Sequence, residues 1–283
     1  VASLSPAARR RGLQLTVSLI FAVALILFFT PILAAAVFGF TLPGRGVSFE
    51  SIALALRNAN FVPQLLLTLQ LAVLSTLASL ALLVPTLLWL HLKQPGLLRF
   101  AEWLSVIPYV VPAIALVSGA SLFFRAVLPG FLASSYSLVP FYMVLSLPLV
   151  FRTLDAGIRA LDVKTLFAAS ASLGANPAQT LFTVILPNLQ PALLGASLLS
   201  VALVLGEYAL AALLLHDTFP VFLLQIGNNQ PRAAAALSFI VIITTWLLLM
   251  TLSAAGSARA ASPSTSRKAR RFARAAASPK GDR

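Results

Sequence analysis

Long apolar runs alternate with short polar segments along this chain of 283 residues. A polar start at 1–12 carries Arg9, Arg10 and Arg11, and the apolar run 13–40 follows it. That run is too long for the core of a signal peptide, and no small-residue cleavage site ends it. It is expected to be a transmembrane helix, because about 20 apolar residues cross the hydrocarbon core. Five further runs, near 61–90, 103–128, 138–154, 189–215 and 233–255, predict five more spans. Pro108 and Pro112 fall early in the third span, and Pro148 is expected to break the fourth. Proline at membrane depth is tolerated where neighbouring helices re-satisfy the freed carbonyls, so these stretches are expected to pack inside a bundle. The pattern as a whole predicts an all-α, polytopic membrane protein of six helices.

One polar-to-apolar transition is of a different kind. The stretch 159–191, RALDVKTLFAASASLGANPAQTLFTVILPNLQP, lies between the fourth and fifth spans and still has helical features. Asp162 can cap a first short helix through its carboxylate. Gly174 supplies the left-handed residue that ends one. Asn176 as N-cap and Pro177 at the first helical position start a second. Pro187 and Pro191 mark the restart into the next apolar run. Small residues beside a glycine turn suit close approach by another protein. An ordinary interfacial loop is the alternative.

Composition agrees with the membrane reading. The chain is 59% hydrophobic and 10% charged, with mean hydropathy +0.96, whereas a soluble domain is about a quarter charged. The net charge of +13 is unevenly distributed. If six spans put both termini on one side, that side holds sixteen lysines and arginines, and the other holds Arg45, Arg57, Arg125 and Arg232. The positive-inside rule then places both termini and the stretch 159–191 in the cytoplasm. The tail 256–283, rich in Ser, Ala, Arg and Lys, has too little apolar surface to fold and is expected to be disordered. Contact with lipid headgroups suits it better than contact with nucleic acid. With no cysteine in the chain, disulfides and thiolate metal sites are excluded.

Candidate chemistry is sparse. None of the four lysines follows a glycine in a G-x-x-x-x-G-K-[ST] loop, so ATP hydrolysis by that route is excluded. Glu207 is the only acidic residue expected inside a span, in Gly206-Glu207-Tyr208. A carboxylate in the bilayer is costly unless paired or wetted, so Glu207 and Tyr208 mark either a solute pathway or an interhelical bond. Arg152 and Asp155 flank the end of the fourth span, where a snorkelling arginine is expected. His91 and His216 sit at span ends on opposite sides, and neither has a metal-ligand set nearby in sequence. No paired histidine activates a serine. Catalytic residues and metal ligands are therefore expected to be none, and Trp89, Trp103 and Tyr109 are read as interfacial anchors.

The stretch 159–191 resembles the signature loop of binding-protein-dependent ABC importer permeases, type I (MetI-like), whose pattern is E-A-A, three residues, G, nine residues, I-x-L-P. Gly174 falls on the glycine, Ala169 on the middle alanine, and Leu186 and Pro187 on the closing L-P. Ala168 replaces the acidic residue, Ser170 the second alanine, and Val184 the isoleucine. The Leu-Gly-Glu-Tyr stretch, Leu205 to Tyr208, also resembles the corresponding helix of permeases for oxyanions, ferric iron, thiamine and polyamines.

The resemblance implies a permease core over 61–255, with the helix at 13–40 as an addition. It implies a coupling helix around Ala168, Ala169, Ser170, Leu173, Gly174, Ala175 and Phe182, anchored by Leu186 and Pro187. The implied partners are ABC ATPase subunits, a second permease subunit (a copy or a relative) and an extracytoplasmic solute-binding protein. ATP would be hydrolysed by the partner, and the chain itself would bind no cofactor and be no enzyme. The implied location is a bacterial cytoplasmic membrane. The competing readings are an ion-coupled secondary transporter, which should show inverted repeats and several buried charges, and an intramembrane enzyme, which needs a catalytic pair.

Overall fold

The computed structural model describes residues 6–260. In chain order, α1 (Pro6–Phe40) leads into a hairpin of β1 (Thr41–Leu42) and β2 (Gly46–Val47). Then come α2 (Glu50–Leu56), α3 (Phe61–Lys93), α4 (Leu98–Val110), α5 (Ala113–Val127) and α6 (Leu138–Ala160). The second half holds α7 (Val163–Ser172), α8 (Pro177–Thr180), α9 (Leu186–Gly206), α10 (Ala209–Leu213), α11 (Phe219–Asn229) and α12 (Pro231–Ala260). Five helical stretches are long and apolar enough to cross a membrane: Gln14–Phe40, Phe61–Lys93, Ser135–Ala160, Pro177–Gly206 and Pro231–Thr251. A sixth is added if the bent pair α4 and α5 counts as one span. The chain is an all-α polytopic membrane protein.

The structure corrects the sequence reading in several places. The run 103–128 is not one helix: α4 and the stretch Ala113–Val127 meet at 98°. The break falls at Val111, which is extended (ψ 120°) because it precedes Pro112. The ring of a proline disfavours helical geometry in the residue before it, but it does not forbid it: α6 runs unbroken through Pro148, where a break was expected. The run 189–215 also breaks, at Glu207 (ψ 119°), and resumes as α10. The polar segment 41–60 is not all loop, since it holds the hairpin, with Thr41 opposite Val47, and α2. Helix α12 continues through 256–260, the start of the expected tail, and the rest of that tail lies outside the described residues.

The chain divides into two compact units. The first comprises, among the described residues, 6–66 and 218–244. Its core joins Ile52 and Ala55 of α2 to Phe219, Phe222 and Ile226 of α11 and to Ala233, Ala236 and Leu237 of α12. Phe61 meets the rings of Phe219 and Phe222 edge-on. Arg232 closes the C-terminal end of α1. Its guanidinium donates to the carbonyls of Phe38 (3.3 Å) and Thr41 and lies 4.8 Å from the Phe38 ring centre. A cation at the carbonyl end of a helix is favourable because unsatisfied carbonyls gather there.

The second unit comprises, among the described residues, 67–217 and 245–260. Its core runs from Leu83, Leu87 and Leu90 of α3 through Val150, Leu154 and Ile158 of α6 to Ile185, Leu189 and Ala196. Helices α6 and α9 approach closely where Gly157 faces Ala192: a Cβ on residue 157 would collide with the Ala192 Cβ. Small residues allow such approach between helices in lipid. Buried hydroxyls cross-link the same bundle, with Thr76 donating to Ser200 (2.9 Å) and Ser79 lying 3.5 Å from Ser146.

Candidate functional site

The stretch 159–191 folds from its own caps. Asp162 opens α7, its carboxylate accepting the Thr165 backbone N–H (3.3 Å) and hydroxyl (2.6 Å). Those two donors hold the Asp162 carboxyl below its ordinary range. Val163 and Ser170 face inward, and Leu166 and Phe167 pack on the core of the second unit. At the other end, the Ala175 N–H reaches the Ser170 carbonyl and the Gly174 N–H that of Ala171, both 3.0 Å. This is the Schellman closure, and Gly174 supplies its left-handed residue at φ 82°.

Asn176 and Gln179 then exchange bonds. The Gln179 N–H donates to Oδ1 of Asn176 (2.8 Å) and the Asn176 N–H to Oε1 of Gln179 (3.0 Å). That capping box, with Pro177 inside it, fixes the start of α8. A wide π-helical turn, Leu181–Ile185, leads into α9. Pro187 offers no N–H to the carbonyl four residues back and crowds it, and a wider turn just before the proline relieves that crowding.

The result is a two-helix platform with an inner and an outer side. Ser170 and Ile185 are buried, and Ala175 and Leu186 are half-buried. Ala168, Ala169, Gly174 and Pro187 are exposed. Leu173 and Phe182 are the large apolar groups left uncovered, 87% and 65% exposed. The resemblance-derived residues thus divide. Ser170 and Leu186 hold the platform to the bundle, while Ala168, Ala169, Leu173 and Phe182 are free to touch something else.

Beside the platform stands an ionic group that sequence reasoning missed. Asp155, buried on α6, takes His91 Nε2 of α3 on Oδ1 (2.8 Å) and Arg159 Nε on Oδ2 (2.8 Å). The expected snorkelling arginine, Arg152, is exposed, but Asp155 ties two helices together. The available signal was that His91 and Asp155 lie at ends of two spans on the same predicted side.

Glu207 lies toward the opposite end of the bundle. Its carboxylate bends forward over the break between α9 and α10, and Oε1 accepts the Leu210 N–H (3.0 Å). The Tyr142 hydroxyl of α6 faces the same carboxylate. Oε2 is buried without a hydrogen-bond partner. Tyr208 points outward and is exposed.

Further along, His216 is buried with Nδ1 3.5 Å from Ser135 Oγ and Nε2 3.3 Å from Ser137 Oγ. Burial pushes this imidazole below its ordinary pKa. Among the described residues no group of three or more His, Asp or Glu side chains is placed to hold a metal ion. No protein-family model matches the chain.

Proposed function

We propose that the chain is the permease subunit of a type I binding-protein-dependent ABC importer, with the MetI-like core over 61–255. The observation that carries this reading is the platform at 159–191. It is capped at both ends, seated on the bundle, and it offers Leu173 and Phe182 to a partner. An ATPase docked there could move the platform as a rigid piece, and the platform would move α6 and α9, to which it is joined. The chain supplies half of the solute pathway and a second permease the other half. A solute-binding protein delivers solute from the far side, and ATP is hydrolysed in the partner. Each step is a shift between inward- and outward-facing populations, driven by differential binding. Both termini lie in the cytoplasm of a bacterium, and the candidate solutes are a polyamine, ferric iron, thiamine, or an oxyanion or phosphonate.

A second reading, an ion-coupled secondary carrier, draws support from the interruption of α9 beside a carboxylate. A mild-detergent pull-down of the tagged chain from its native membrane separates the two. Recovery of a P-loop ATPase and a second permease, with vanadate-sensitive uptake, is the result expected for the importer. Recovery of the chain alone, with uptake that follows a proton gradient, would replace it with the carrier.

A further inference from the structure

We propose that the bond between His91 and Asp155 is a tie that makes the inner end of α3 follow the platform when an ATPase moves it. His91 and Asp155 are then positioning residues for coupling, placed where α3, α6 and the root of the platform adjoin. The inference rests on the permease reading and deepens it.

Three observations meet at this point. The first is place. Asp155 stands in the last turns of α6, and the chain continues from there through Arg159 and Asp162 into α7. His91 stands in the last turn of α3. Its neighbour Leu92 packs on the same core as Leu161, Leu166 and Phe167. The second is burial. The side chains of His91 and Asp155 are each 12% exposed, and both carboxylate oxygens are engaged, Oδ1 by His91 and Oδ2 by Arg159, at 2.8 Å. A hydrogen bond to a shielded carboxylate is strong and directional. The third is a difference between the two partners. Arg159 belongs to the same helix as Asp155, one turn on, and its side chain is 57% exposed. That bond orients the carboxylate and adds little else. His91 comes from another helix, so its bond can carry a displacement from α6 to α3.

Apolar packing serves this role less well. Lipid tails are as apolar as leucine, so the leucine contacts between α3 and α6 resist sliding and rotation less than a directional bond does. The hydroxyl pairs Thr76–Ser200 and Ser79–Ser146 are neutral and lie further along α3, away from the platform. The tie fixes the height and rotation of α3 at the end where the platform begins.

The test uses the full chain with its co-purifying subunits in lipid nanodiscs. Amide hydrogen exchange is followed with and without ATP and vanadate, so no solute is needed. In the wild type, trapping should change exchange both in the platform, 159–185, and at the end of α3, 86–93. His91→Leu combined with Asp155→Leu replaces the bond with apolar contact, a change that folds commonly tolerate. The platform should still respond in this variant, while the response of 86–93 should fall about threefold or more. His91→Gln keeps an amide N–H that can donate to Oδ1, and it should keep the wild-type response. A merely structural pair would behave otherwise: its loss would raise exchange at 86–93 equally with and without nucleotide, leaving the difference intact.

If 86–93 does not respond in the wild type, or responds equally in the double variant, the proposal is wrong. Should the double variant fail to fold, His91→Leu alone carries the same test. A wild-type preparation without an ATPase would sink the permease reading and the tie with it. An ATPase whose trapping moves the platform but not α3 would sink the tie alone.

Discussion

At the end of α7 the N–H of Ala175 reaches back to Ser170 and that of Gly174 to Ala171. At the end of α10 the N–H of His216 reaches back to Ala211 and that of Leu215 to Ala212. The two closures are the same motif, with φ 82° at Gly174 and φ 60° at Leu215. Glycine reaches that region freely, whereas a leucine there costs about 1–2 kcal/mol because its Cβ crowds the carbonyl. The Leu215 side chain recovers nothing by packing, as it is 89% exposed. The strain at Leu215 is held by its neighbour: His216 is buried between Ser135 and Ser137, which leaves the chain little choice of path. Gly174 has no such anchor, and beyond its own chain neighbours no atom lies within 4 Å of where its Cβ would be. One turn is permitted by its own residue, and the other is imposed by the fold around it.

Several measurements would break or sharpen this contrast. The largest effect is expected at Gly174. Gly174→Val should destabilise the platform by about 2 kcal/mol, because a β-branched residue tolerates φ > 0 poorly. The amides of 163–185 should exchange faster, and the co-purifying ATPase should be lost while membrane insertion continues. Normal exchange and normal ATPase recovery would mean that the turn is not what holds the platform.

The anchor of the second turn comes next. Ser137→Ala removes the hydroxyl beside His216 Nε2 and should cost about 1.5 kcal/mol in thermal stability, because a buried ring nitrogen loses its partner. A cost near zero would mean that Leu215 is held by something other than its neighbour.

A smaller change, of opposite sign, is expected at Leu215→Gly. Relief of the left-handed strain is partly cancelled by the backbone entropy of glycine in the unfolded chain, leaving a gain of about 0.5 kcal/mol. A loss of stability on this substitution would show that the leucine side chain makes a contact of its own.

Acidification should distinguish the two elements without any mutation. The His216 pKa is lowered below its ordinary 6.5 by burial, so the folded state favours the neutral ring. Its contribution is complete above that value and declines as pH falls below it. The Asp162 carboxyl is lowered from its ordinary 3.8 by Thr165, so its cap is complete above that value and is lost as pH falls through the folded pKa. The amides near Leu215 should therefore lose protection in mild acid, while Thr165 at the start of α7 loses it only in strong acid. Protection lost in the reverse order would contradict both assignments.

The platform could be read almost entirely in advance because its determinants are local. Asp162, Gly174, Asn176 and Pro177 each act within four residues, and each does in the structure what its chemistry suggests. The Leu215 turn could not be read, because a leucine carries no sign of φ > 0 and its cause lies some eighty residues earlier, at Ser135 and Ser137. The same holds for Asp155, whose neighbour Arg159 is visible in the sequence but whose partner His91 comes from another helix. The break at Val111 was legible in principle from Pro112. The break at Glu207 was not, since no proline causes it.

By itself the sequence determined that the chain is helical and membrane-spanning, where the apolar helices roughly lie, and how the stretch 159–191 is capped. Apolar length and side-chain-to-backbone bonds are properties of neighbouring residues, so they survive without a fold. The tertiary structure alone decided which polar groups meet. It set Thr76 against Ser200, His91 against Asp155 and Tyr142 toward Glu207, and it left one oxygen of Glu207 without a donor. Those pairings join residues far apart in the chain, and only helix packing brings them within hydrogen-bonding reach of one another.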